Sequence, residues 1–241
     1  MKNHINSFSQ GISDGLPICF GYFSVAFAFG IFSTGSGLSI LETLFISMTN
    51  VTSAGQLAAV PIIAAGGSVF ELALTQFVIN LRYSLMSISL SQRVGSTVKT
   101  LDRLLIAFVN TDEVFAVAAS KDKILEKKYL YGLIITPYLG WSGGTFIGAV
   151  AGNILPSIVV SALGIAIYAM FIAIIIPPAK KSRATALCIL LAVGLSCMFN
   201  FIPLLNKIPS GFVIIICAIA ASAVLALIAP IQDEGEAEDN A

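Results

Sequence analysis

The stretch LLIAFVNTDEVFAVAAS, Leu104–Ser120, decides how the chain is read. Apolar residues run in from both ends, and Asn110, Thr111, Asp112 and Glu113 interrupt them in the middle. Removing a carboxylate from water is costly, so an apolar segment that keeps two adjacent ones has a use for them. The segment reads as a membrane helix broken at its centre.

The rest of the sequence supports a membrane setting. Of 241 residues, 57% are hydrophobic and 11% are charged, and mean hydropathy is +0.93. A soluble domain carries roughly 25% charged residues. A spanning helix takes about 20 apolar residues, so this length allows about six to eight segments and little else. The formal net charge is zero, which gives no electrostatic footprint for a nucleic-acid partner. Cys19, Cys188, Cys197 and Cys217 all lie in apolar runs, and His4 is the single histidine. That inventory disfavours a zinc site or a Ser-His-Asp triad and implies no cofactor. With no nucleophile–base pair in view, an enzyme is not expected.

Apolar segments fall at 15–34, 40–65, 69–91, 104–120, 129–153, 157–177, 184–203 and 209–229. They form one transmembrane unit, 15–229, between a polar leader, 1–14, and an acidic tail, 230–241, expected to be disordered. Three basic clusters test the topology: Arg93/Lys99/Arg103, Lys121/Lys123/Lys127/Lys128 and Lys180/Lys181/Arg183. Lys and Arg favour the cytoplasmic side. If all three clusters lie there, 104–120 starts and ends on one face and must dip in and return. With Lys2 also inside, 40–65 must do the same from the outer face. That segment has its own polar break, TNVTSAGQ, Thr49–Gln56. The fold expected is all-α and polytopic, with six full spans and two broken, re-entrant segments, 40–65 and 104–120, and both termini cytoplasmic. Eight bent spans with one basic loop outside is the alternative. A gapped likeness between GLPICFGYFSVAFAFG (15–30) and GLIITPYLGWSGGTFIG (132–148) raises an internal duplication.

Four stretches have the form of a capping box: Ser39–Glu42, Ser68–Glu71, Ser53–Gln56 and Asn110–Glu113. The first two open segments near the membrane surface, and for Glu42 and Glu71 structural capping is the reading. The last two lie at the breaks. There a restarted helix presents free N–H groups and a positive dipole end, an anion site. Glu113 has the cap role available. Asp112 does not, since one acid completes the box, and it is the sharper candidate for neutralising a substrate ammonium or carrying a proton. Burial of such a carboxylate favours proton exchange nearer neutral pH.

On 69–91, Gln76, Asn80, Ser84, Ser87 and Ser91 share one helical face, so this helix is expected to be surrounded by protein. Arg82 lies off that face, about 15 Å from the segment's end. It either pairs with an acid such as Asp112 or Asp14, caps a broken helix, or binds a substrate carboxylate. Asp14 precedes Gly15–Leu16–Pro17 and reads as an N-cap, with a share in a proton path as the second reading. Gly140, Gly144, Gly148 and Gly152 form a small-residue face for close helix packing. Tyr138 and Trp141 beside it read equally as interface anchors or pocket walls.

The pieces GISDGLPICFGYFSVAFAFG, TSAGQLAAV, FVINLRYSLMSISLSQR, FVNTDEVFAVA and YGLIITPYLGWSGGTFIGAVAGNILP come in an order that resembles the AzlC family of branched-chain amino acid permeases. INLRYSLMS together with NTDE is the specific part, and the last two spans match only in hydrophobic character. Leu57 stands where the family usually has an aromatic residue, and Tyr83 where a histidine is common. These departures bear on the substrate more than on the fold. The resemblance implies a bacterial inner-membrane exporter of valine, leucine and isoleucine, with methionine as a further candidate. It also implies coupling to the proton motive force and a small AzlD-type membrane subunit as partner. The site proposed from the residues is Gln56, Asn80, Asn110, Asp112 and Glu113 around the zwitterion, with Arg82 bracing it. Phe and Leu side chains of the first span would hold the aliphatic part, and Asp112, Glu113 and Asp14 would carry protons. A passive channel for small neutral solutes is the runner-up, disfavoured because such a pore does not need buried acids.

Overall fold

The computed structural model describes residues 6–121 and 124–228. Lys2 and His4, Asp122 and Lys123 of the second basic cluster, and the acidic tail 230–241 lie outside them. Six long helices are present among the described residues: α1 (Phe8–Gly35), α4 (Val69–Ser91), α7 (Lys127–Ile154), α8 (Ser157–Lys181), α9 (Arg183–Phe201) and α10 (Ser210–Ile228). Both interrupted segments are broken helices. The first gives α2 (Ile40–Thr49) and α3 (Ser53–Ala64), and the second gives α5 (Thr100–Phe108) and α6 (Asp112–Ala119). No strand occurs among the described residues, only an isolated parallel bridge, Val94–Leu125. By length and composition α1, α7, α9 and α10 are apolar enough to cross a membrane. The 23-residue α4 and 25-residue α8 are also long enough. Each half-helix, 8 to 12 residues, reaches only about 12–18 Å and cannot cross alone.

The most extensive helix pair is α1 with α7. Cys19 faces Gly140, Phe23 faces Gly144, Phe27 faces Gly148 and Ile31 faces Gly152, so the two helices run parallel at a constant offset of 121 residues. The partner of the glycine face is therefore the chain's own first helix. A Cβ at Gly11, Gly132, Gly144 or Gly148 would collide with the opposite backbone, the close approach that small residues permit.

The direction of α4 settles how the broken segments run. Arg103 of α5 bonds the Ser91 carbonyl, and Asn110 after α5 bonds Ser87, so α5 is antiparallel to α4. Tyr131 bonds Asp102 (2.9 Å), and Phe108 stacks on Tyr138, so α5 is parallel to α7. Hence α4 opposes both α1 and α7. A single broken segment joins α1 to α4, so α2–α3 must begin and end at one face. By the same parity α5–α6 begins and ends at the other. Two re-entrant hairpins thus enter from opposite faces.

The described members of all three basic clusters gather at one face. Arg93 ends α4, Lys99 and Lys127 open α5 and α7, and α8 runs against α1 (Phe32 packs on Tyr168) to finish at Lys180–Lys181. At this basic face Gly95 N–H donates to the Leu125 carbonyl and Leu125 N–H to that of Arg93 (2.9 Å each). Asp102, ahead of the apolar run, accepts from Lys127 Nζ (2.6 Å) and the Lys99 N–H (3.0 Å).

Several local expectations are corrected. Helix α1 begins at Phe8 with Ser7 as N-cap, so residues 8–14 of the leader are helical and Asp14 is no cap. Instead Asp14 pairs with Lys121 (2.7 Å) and accepts from the Tyr129 hydroxyl (2.8 Å). Glu42 closes the expected capping box with Ser39. The Ser68 hydroxyl caps the Glu71 N–H, but the buried Glu71 carboxylate turns away to the Gly211 N–H at the start of α10 (2.8 Å). Helix α4 is not enclosed: Phe77, Leu81, Leu85 and Ile88 are exposed along one side.

Candidate functional site

The tips of the two hairpins meet near the middle of α4. Each break is built alike, with an i→i+2 turn that ends at threonine. Thr52 N–H donates to the Asn50 carbonyl and Thr111 N–H to the Val109 carbonyl, both at 2.9 Å. Thr52 and Thr111 are the N-caps of α3 and α6, and neither side chain caps its helix. The boxes read as Ser53–Gln56 and Asn110–Glu113 therefore do not form. Ser53 is already helical, and Asn110 lies one residue outside the cap. The orphan carbonyls at the end of α2 are met from α7: Trp141 Nε1 donates to the Ser47 carbonyl and the Tyr138 hydroxyl to that of Met48, both at 3.1 Å. Such satisfaction is what permits a break at membrane depth. It also makes Trp141 a buried wall of the site.

A cavity of about 570 Å³ opens at these tips, within the range of small-molecule sites. Its polar lining includes Thr52, Thr111, Arg82, Tyr83, Asp112 and Glu113, with Tyr22 from α1 and Trp141 from α7. Arg82 Nη2 lies 2.7 Å from Asp112 Oδ2, and the two side chains are 54% and 44% exposed, open enough for a ligand to compete. The same Nη2 donates to the Tyr83 hydroxyl (3.1 Å), which donates on to Thr52 Oγ1 (3.2 Å). Glu113 accepts from the Tyr22 hydroxyl, which also contacts Thr111 Oγ1. With one proton to give, Tyr22 donates to the carboxylate and accepts from the threonine. Polar contacts thus tie the α5–α6 tip to α1 and α4, and the α2–α3 tip to α4.

The expected site residues separate into groups. Arg82, Asp112 and Glu113 line the large cavity. Asn80 and Asn110 line an adjoining cavity of about 160 Å³, which shares Val51, Thr52, Tyr83 and Thr111 with the first. Gln56 is fully buried one turn into α3, and neither amide atom has a partner. It lines neither cavity. Asp14 stands apart at the basic face. The apolar lining comes from Val51, Ala54, Ile79 and Trp141 rather than from Phe or Leu of the first span, whose contribution is Tyr22. Tyr22 and Thr52 escaped the sequence reading. A tyrosine inside an apolar run whose hydroxyl needs a partner was the available signal.

Residues 17–155 match the AzlC protein family. The chain belongs to the AzlC family. The match takes in α1 from Pro17, both broken segments, α4 and all of α7, and so the whole cavity, while α8–α10 lie beyond it. Among its relatives, the Escherichia coli inner membrane protein YgaZ is 34% identical over 195 residues, covering 78% of each chain. An uncharacterized membrane protein of Archaeoglobus fulgidus is 31% identical over 181 residues, 74% of this chain and 79% of that one. One from Helicobacter pylori is 24% identical over 156 residues, 64% and 68% respectively. No solved structure matches. This AzlC-family chain is an all-α integral membrane protein of transporter type, with its breaks and charged cavity inside the family's matched span.

Proposed function

We propose that the chain is the large subunit of a secondary transporter that exports branched-chain and related neutral amino acids, valine among them, across the bacterial inner membrane. The observation that carries this is the meeting of two half-helices, entering from opposite faces, at a cavity holding the Arg82–Asp112 pair. The uncapped starts of α3 and α6 offer N–H groups and positive dipole ends to the substrate carboxylate, beside Arg82. Asp112 and Glu113 answer the ammonium. Val51, Ile79 and Trp141 face the aliphatic side chain. Coupling is to the proton motive force, with Asp112 as the proton carrier and Arg82 releasing it when substrate takes the arginine. The basic face is cytoplasmic, as the positive-inside rule requires, and a small AzlD-type membrane subunit completes the working assembly.

The test is labelled valine flux in proteoliposomes, with and without a pH gradient, for this chain alone and with a small AzlD-type partner. Accumulation against a valine gradient that collapses with the pH gradient is the expected result. Flux that only equilibrates would make the protein a channel. Absence of valine flux under every condition would remove the substrate assignment.

A further inference from the structure

The helices beyond the family match, α8–α10, carry charge of one sign only. Between Ser157 and Ile228 stand Lys180, Lys181, Arg183 and Lys207, and no Asp or Glu. Three of those cations share the turn from α8 to α9 at the basic face. All three are exposed, and none makes an ion pair among the described residues. The other basic clusters are better answered: Lys121 meets Asp14 (2.7 Å), Lys127 meets Asp102 (2.6 Å) and Arg93 Nη1 donates to the Ala119 carbonyl (2.7 Å). Lys180 and Lys181 suit the negative end of α8, but Arg183 opens α9, a positive end with no acid in its first turn. That end favours an anion and holds a cation instead.

The end of α10 lies beside this turn. Helix α10 starts at the opposite face, where the Gly211 N–H meets Glu71 at the start of α4 (2.8 Å). It then runs parallel to α4, since Val78 shares a cavity with Ala218, Ser222 and Ala226. Helices α9 and α10 pack antiparallel, and Phe199 and Asn200 near the end of one share a cavity with Ser210 and Val213 at the start of the other. Both are 19 residues long. Arg183 and Ile228 therefore stand at the same level, on axes about 8–10 Å apart by the usual spacing of packed helices. Residues 229–241, outside the described ones, follow directly and carry Asp233, Glu234, Glu236, Glu238 and Asp239. At about 3.3–3.6 Å per extended residue, Asp233 reaches about 17 Å from Ile228, and the later acids reach further. The five carboxylates have the three cations in range, while the negative end of α10 repels them from its own terminus.

We infer that the acidic stretch 233–239 docks on Lys180, Lys181 and Arg183, a strap that ties the end of α10 to the α8–α9 turn and keeps these cations from other anions. The inference goes beyond the transporter reading and is measured without transport. The four native cysteines are replaced, Ala184→Cys and Ala237→Cys carry nitroxide labels, and the interlabel distance is read by pulsed spin resonance on the purified full chain. In neutral detergent at low salt a short, narrow distance is expected. It should lengthen and broaden in about 1 M salt, where the Debye length falls to about 3 Å, and in Lys180→Gln/Lys181→Gln/Arg183→Gln. If that triple variant fails to fold, Asp233→Asn, Glu234→Gln, Glu236→Gln, Glu238→Gln and Asp239→Asn together read the same contact. A long, broad distance in neutral detergent and in phosphatidylcholine nanodiscs would overturn the inference, and so would a short distance indifferent to salt or kept in the charge variants. In the first case, saturable binding of phosphatidylglycerol to the wild type and not to the triple variant would make a lipid headgroup the occupant instead.

Discussion

Arg82 of α4 and Asp112, the first residue of α6, face each other at 2.7 Å across the large cavity. The pair joins a continuous helix to the tip of a re-entrant one, and both members remain half open. Asp112→Asn is expected to keep the fold, because Arg82 retains the Tyr83 hydroxyl, but to abolish valine accumulation driven by a pH gradient. The checks are gel filtration for folding and flux in proteoliposomes. Wild-type gradient-driven rates in the variant would remove Asp112 from proton coupling.

The re-entrant hairpins make a prediction about sidedness. With the four native cysteines replaced, Ser36→Cys and Ala65→Cys, flanking α2–α3, should react with an impermeant maleimide from one face. Ser96→Cys and Lys128→Cys, flanking α5–α6, should react from the other. Labelling of Ser36→Cys and Ala65→Cys from opposite faces would mean that α2–α3 crosses.

The α1–α7 contact sets the tolerance of its glycines. In Gly148→Ala the new methyl meets the Phe27 backbone, and a loss of about 1–3 kcal/mol is expected. In Gly194→Ala nothing lies within 4 Å, so the change should be neutral or stabilise α9 by up to about 1 kcal/mol. Thermal denaturation of both variants separates a specific interface from a general intolerance of side chains.

Trp141→Phe removes the donor to the Ser47 carbonyl and leaves that buried acceptor unmet, a loss of about 1–3 kcal/mol. Because Trp141 also walls the cavity, the variant should show weaker valine binding as well as a lower melting temperature. A variant of unchanged stability would mean that the end of α2 is satisfied by another group.

At the basic face, Lys127, the Lys99 N–H and the Tyr131 hydroxyl together hold the Asp102 carboxyl down at about 2, below its ordinary 3.8. A depressed carboxylate contributes stability at pH values above its unfolded pKa, and that contribution drains away as pH falls through the folded one. Melting temperature should therefore decline between about pH 4 and pH 2, and Asp102→Asn should flatten that part of the profile. An unchanged profile in the variant would show that Asp102 contributes nothing to acid stability.

The sequence by itself determined the apolar segments, the two breaks and, through its basic clusters, the direction in which those breaks re-enter. These are local or one-dimensional properties: hydropathy over about 20 residues, a polar interruption, and a charge rule that counts faces. Only the tertiary structure decided partners. It gave Arg82 to Asp112 and Asp14 to Lys121, turned Glu71 to α10 and Glu113 to Tyr22, and left Gln56 buried outside both cavities. The meeting of both N-caps, Thr52 and Thr111, at two adjoining cavities was equally out of reach. Tyr22 and Glu113 are 91 positions apart, and helical periodicity says which residues share a face but not which face of another helix will meet it.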